Sequence, residues 1–126
     1  MSSKPAGTPE ENYAWAVKTG DLDGVKNFVE KEKLSVNLTD SNKRTPLHWA
    51  SDFNQVEVMK YLISKGAAVN SQDAFGITPL LAATYEGHAG AVKLLLEHKA
   101  DSSIKGPDGL TAKEAAEKPD VKALFK

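Results

Sequence analysis

The chain has 126 residues, 40% of them hydrophobic and 26% charged, and its 16 basic and 17 acidic side chains leave a formal net charge of −1. That balance describes one ordinary soluble domain and leaves no overall field to hold nucleic acid or an anionic bilayer. Cysteine is absent, which excludes disulfides, thiolate metal sites and thiol nucleophiles and is compatible with a reducing compartment.

In chain order, residues 1–8 are polar, lack the apolar stretch of a secretory signal and are expected to form a disordered tail. Nowhere is there an apolar run long enough to span a bilayer. Thr8-Pro9-Glu10-Glu11 has the spacing of a capping box and predicts a first helix that starts about one turn earlier than its later counterparts. Leu22, Val25, Phe28 and Val29 then mark the apolar stripe of a second helix. Val56, Met59, Leu62 and Ile63 repeat that stripe, as do Ala89, Val92, Leu95 and Leu96. Thr45-Pro46 and Thr78-Pro79 predict helix starts, because threonine oxygen caps a free backbone N–H while proline gives up a donor that would be unpaired. Gly66 is expected to end a helix, and Gly76 and Gly109 to make tight turns at positive φ. At the C-terminal end Val121, Leu124 and Phe125 repeat the stripe at a shortened offset, with Lys118, Asp120, Lys122 and Lys126 coating the outer side.

These elements recur. Thr45-Pro46-Leu47, Thr78-Pro79-Leu80 and Thr111-Ala112 are separated by 33 residues, and Ala50, Ala83 and Ala116 keep the same beat. Ala16 joins the series if one residue is inserted in the loop Glu30–Asn37. A 33-residue period is that of ankyrin repeats. The expected fold is therefore all-α: a solenoid of four helix-turn-helix repeats with short β-hairpin-like finger loops, the first and last repeats acting as caps. Its repeats are placed at approximately 9–40, 41–73, 74–106 and 107–126, forming one domain over 9–126.

Catalytic chemistry finds little support. His48 occupies the histidine slot of the TPLH signature, where it is expected to bond backbone of the neighbouring turn, and neither His88 nor His98 shares a ligand spacing with it. No nucleophile elbow, phosphate loop or paired-carboxylate cleft can be drawn, and Gly106-Pro107-Asp108-Gly109 is a turn by composition. The chain is expected to be no enzyme and to hold no metal or cofactor. Binding is expected instead on the concave surface made by finger tips and the exposed side of the first helices. Among its variable positions Phe53, Phe75 and Tyr85 are aromatic where solubility favours polar side chains, and Trp15 and Trp49 hold equivalent sites on successive first helices. Set among charged neighbours, such anchors have the composition of a binding hot spot. The alternative is that Phe53 and the tryptophans fill gaps between repeats.

The chain also resembles the myotrophin family of small four-repeat ankyrin proteins, from about Tyr13 to the C-terminus. The likeness is carried by Gly20-Asp21-Leu22-Asp23, Ile77-Thr78-Pro79-Leu80-Leu81, Tyr85-Glu86-Gly87-His88 and Lys105-Gly106-Pro107-Asp108-Gly109-Leu110-Thr111-Ala112. Leu81 in the histidine slot and the shortened last repeat are similar to that family too. The resemblance implies a regulator of actin assembly that binds heterodimeric capping protein and keeps it off filament barbed ends; a monomer is expected, and the charge balance and hydropathy give no part to nucleic acid or membrane. It implies binding roles for Trp15, Arg44, Trp49, Asp52, Tyr85 and Glu86, to which the variable-position reading adds Phe53 and Phe75. The family carries an acidic residue followed by two glycines where this chain reads Ser41-Asn42-Lys43, with Asp40 as a partial substitute. A cytoplasmic location is expected, and the small size is compatible with a nuclear pool. The competing expectation is a generic ankyrin adaptor or inhibitor for a transcription factor or kinase; an enzyme or small-molecule receptor would need a pocket with convergent polar groups.

Overall fold

A computed structural model of the chain describes residues 7–125. The expectations for Met1 to Ala6 and for Lys126 lie outside them. Eight helices follow in order: α1 (Pro9–Thr19), α2 (Leu22–Glu30), α3 (Pro46–Asp52), α4 (Val56–Ser64), α5 (Pro79–Tyr85), α6 (Ala89–Glu97), α7 (Ala112–Ala115) and α8 (Pro119–Lys122), closed by a 3₁₀ turn, Ala123–Phe125. Among the described residues there is no strand. Helices α1, α3, α5 and α7 pack side by side in one layer, and α2, α4, α6 and α8 form the layer behind it. This is the all-α ankyrin solenoid that the period predicts.

The helix starts follow from local chemistry. Thr8, Thr45, Thr78 and Thr111 are all N-caps whose hydroxyls accept from the backbone N–H three residues on. Thr8 with Glu11 forms the full capping box, and α1 is 11 residues long against seven for α3 and α5. Gly66, Gly76 and Gly109 adopt φ of 95°, 82° and 79° at the turns expected of them. The inserted residue of the first repeat is also visible. Where Ala67 N–H reaches back five residues to Leu62 C=O, Leu34 N–H reaches back six to Phe28 C=O, both at about 3 Å. The extra residue widens the turn and leaves the layers in register.

Core side chains lie between the two layers and between repeats. Leu47, Ala50, Leu80 and Ala83 on the inner helices meet Val25, Met59, Leu62, Val92 and Leu95 on the outer ones, and all are buried. The outer stripes differ from the periodic reading in one respect. Val56, Ile63, Ala89 and Leu96 are only partly buried, whereas Val58, Ala91 and Leu94 are buried. Helices α4 and α6 touch both neighbours within their layer as well as the helix in front, so more than one face is covered. Helix α2 has one such neighbour and buries only Val25.

Polar clamps cross each junction between repeats. His48 Nδ1 lies 3.1 Å from Thr45 N–H, so it accepts, and Nε2–H donates to Ile77 C=O at 2.7 Å. Gln55 reaches Lys18 C=O, the Asn54 side chain accepts from Ala91 N–H, and Asn37 and Asn70 accept from Ala68 and Asp101 N–H. His48 thus takes the structural role expected of it: the fully buried imidazole ties the second repeat to the third.

Candidate functional site

The fingers are shaped by aspartates. Asp73 N–H donates to Ile77 C=O, while Asp73 Oδ1 accepts from Phe75 and Ile77 N–H, both at 2.9 Å. Asp40 builds the preceding finger in the same way, with its Oδ1 accepting from Asn42 and Arg44 N–H. An Ala74 N–H to Asn42 C=O bond of 2.8 Å joins the two tips. Each carboxylate substitutes for the ladder bonds a short hairpin lacks. Burial pushes the Asp40 carboxyl up, but hydrogen bonds from Arg44, Asn42 and Trp49 outweigh it and hold it below the usual carboxylate range.

Between these fingers and the ends of α3 and α5 lies a shallow groove of about 260 Å³. Of the eight candidate binding residues, Arg44, Asp52, Phe75, Tyr85 and Glu86 come together along it. The Arg44 guanidinium bonds Asp52 at 2.6 and 3.3 Å. Its Nε stands 3.4 Å from Asp73 Oδ2, a charge contact outside hydrogen-bond alignment. Arg44 therefore links two fingers to α3 rather than offering a free cation. Phe75 at the finger tip is 63% exposed and Tyr85 39%. The Tyr85 hydroxyl lies where a side chain on Gly106 would stand, so that glycine lets the ring lean on the last finger. Desolvation, then Asp108 and Asp73, push the Tyr85 phenol above its ordinary value.

The remaining candidates lie apart from it. Trp15 is 42% exposed on α1, beside a wider groove of about 670 Å³ that it lines together with Glu10, Glu11, Leu38 and the edge of Trp49. Trp49, expected on the binding surface, is instead buried at 3% exposure. Its indole N–H donates to Asp40 Oδ2 at 3.1 Å, and Tyr13 of α1 meets its ring edge-on, with centroids 6.2 Å apart. It fills the first junction, the alternative left open for it. Trp15, its repeat equivalent, has no helix before α1 among the described residues to pack against. Phe53, 54% exposed at the α3–α4 turn, borders none of these grooves.

Periodic reading missed Asp73, although it sits 33 residues after Asp40 and could have been found from that spacing. It also missed a second groove of about 320 Å³ beyond Tyr85, lined by Glu86, Asp108, Leu110, Glu114, Glu117 and Lys118 among others. No group of three histidine or carboxylate side chains close enough to hold a metal ion exists among the described residues. None of the described helices is long and apolar enough to cross a membrane.

The family model for ankyrin repeats (three copies) matches residues 13–106. The chain is 49% identical to myotrophin of Xenopus tropicalis over 116 residues, which covers 92% of this chain and 98% of that protein. It is 40% identical to 26S proteasome non-ATPase regulatory subunit 10 of Dictyostelium discoideum over 99 residues, 78% of this chain but 43% of that one. With palmitoyltransferase Hip14 of Drosophila melanogaster it shares 38% over 95 residues, 75% of this chain and 15% of that protein. The chain thus spans less than half of the proteasome subunit and nearly the whole of the myotrophin.

Proposed function

The chain belongs to the ankyrin-repeat family and is a myotrophin-like, protein-binding repeat stack; from that premise we propose that its ligand is heterodimeric actin capping protein, which it sequesters away from filament barbed ends. The observation that carries this reading is the groove in which Arg44, Asp52, Phe75, Tyr85 and Glu86 converge. Exposed rings beside three carboxylates that share the single cation Arg44 suit a partner surface that is basic and has apolar contacts to offer. Capping protein grips actin with basic residues, so an acidic cover over them competes directly with the filament. The action is occlusion, without bond making or breaking, in the cytoplasm and as a monomer.

The shape of the site supports the reading as well. Arg44 fixes the finger positions through Asp52 and Asp73 before any partner arrives, so little ordering cost remains on binding. Trp15 extends the same inner layer toward the N-terminal end, and Trp49 contributes by shaping the first junction beneath it.

The test is a capped-filament assay. Purified protein restores barbed-end growth in the presence of capping protein, and Asp52→Lys or Glu86→Lys weakens the effect while circular dichroism stays unchanged. No restoration by the wild type removes the reading. An unbiased pull-down that returned a transcription factor or kinase in place of capping protein would favour the adaptor alternative.

A further inference from the structure

We propose that the trough running from the Asp73 finger across the last helix pair is a docking strip for an extended, basic segment of a partner protein bearing an apolar anchor. The inference rests on the protein-binding reading of this face and on nothing about which protein is bound. Tyr85 and Glu86 line both the groove between the second and third repeats and the groove between the third and last, so the two grooves adjoin at these side chains and form one strip along the face. Helices packed about 10 Å apart give a trough crossing two junctions about 20 Å of length, the reach of about six extended residues.

Charge selects the occupant. Asp52, Asp73, Glu86, Asp108, Glu114 and Glu117 face Arg44 and Lys118, an excess of four negative charges in a chain whose total is −1. Arg44 is already engaged by Asp52 and Asp73. The field therefore concentrates over the last repeat, where none of Glu86, Asp108, Glu114 and Glu117 joins an ion pair among the described residues. Lys118 lies across one edge of the groove, its ammonium 3.4 Å from the C=O of Gly87, which also lines it, and is one cation against these four carboxylates. Carboxylates alone would attract any cation, but this trough also exposes apolar surface at Phe75, Tyr85 and Leu110. Leu110, 40% exposed, supplies the apolar element of this last groove. Alternating basic and apolar side chains on an extended segment place cations over the carboxylates and an anchor between Tyr85 and Leu110.

The probe is a fluorescein-labelled Arg-Leu-Lys-Leu-Arg-Lys amide, followed by anisotropy against the full chain at two salt concentrations. Saturable, salt-weakened binding is expected. The triple variant Glu86→Gln/Asp108→Asn/Glu117→Gln, which keeps side-chain size and the Leu110 N–H to Asp108 Oδ1 bond, should weaken it about tenfold, and Leu110→Ser several-fold. A charge-matched triple elsewhere, Asp23→Asn/Glu57→Gln/Glu97→Gln, should change it less than about twofold. Equal losses from the two triples, or binding that never saturates, overturn the strip. Peptide binding by a chain that ignores capping protein upholds the strip and removes the capping-protein reading. Capping-protein binding without peptide binding overturns the strip alone.

Discussion

Replacing His48 by leucine, the residue that occupies the equivalent slot at Leu81, should destabilise the stack by about 2 kcal/mol at pH 7.5, and by less at pH 5.5. The magnitude follows from what the imidazole holds. His48 is fully buried, its Nδ1 is the acceptor for the buried Thr45 N–H, and its Nε2–H spans to the next repeat at Ile77 C=O. Leucine leaves the Thr45 N–H without that partner, at about 1–3 kcal/mol. The Ile77 carbonyl still receives Asp73 N–H at 2.9 Å, so its loss is one ordinary bond, about 1 kcal/mol. Better burial of an apolar side chain returns about 1 kcal/mol. With a urea m-value of about 1.5 kcal/mol/M, the midpoint should fall by somewhat more than 1 M.

The pH arm has a definite sign. Desolvation by burial, opposed by the Ile77 bond, holds the folded His48 pKa below its ordinary 6.5. The unfolded chain then binds more protons, so His48 contributes its full share above pH 6.5 and loses it as the pH falls toward the folded value, by at most about 1.4 kcal/mol per unit. Asp40, also depressed, loses its contribution only below its ordinary 3.8, well outside this window. Urea titrations of wild type and His48→Leu at pH 7.5 and 5.5 should converge toward acid. The same midpoint gap at both pH values, or no gap at 7.5, would refute the reasoning.

Trp49→Ala should cost about 3–5 kcal/mol because the ring is buried against Tyr13, whereas Trp15→Ala should cost under about 1 kcal/mol and weaken partner binding; thermal melts and titrations separate them. Asp52→Lys breaks a pair whose side chains are each about three-quarters buried and sets a second cation against Arg44, so stability should fall by about 1–3 kcal/mol while capping-protein affinity, measured by calorimetry on the folded variant, drops about tenfold or more. Gly106→Ala places a methyl group on the Tyr85 hydroxyl, and the ring should swing out, lowering affinity at nearly constant melting temperature. Leu62→Ala, in the buried outer layer, should cost about 2–5 kcal/mol, read by urea unfolding.

The architecture was legible because ankyrin physics repeats: a threonine cap, a proline and two apolar stripes at a fixed period leave little freedom for anything but stacked helix pairs. What lay between repeats was harder to see. Trp49 and Trp15 hold equivalent positions in the sequence, yet one is covered and the other open, since only the second repeat has α1 beside it. Val58 and Leu94 were missed because they lie off the stripe that faces their own partner helix, on helices that are also covered by neighbours within their layer. On the binding side, Arg44, Asp52, Phe75, Tyr85 and Glu86 were picked one by one from variable positions and meet in one groove. That Arg44 is held by Asp52 and Asp73 could not be read without the finger geometry, because Asp73 is 29 residues away and its carboxylate also shapes its own turn. The trough over the last repeat escaped because its carboxylates come from a finger, a capping box and an inter-helix turn that share no period.

The central claim is that the inner, finger-bearing face of this stack grips capping protein, and hydrogen exchange of the free and capping-protein-saturated chain tests it most directly. The account predicts added protection at residues 40–45, 73–78 and 84–87, with α4 and α6 unchanged on their outward sides. An unaltered exchange pattern, or protection confined to α4 and α6, would contradict it.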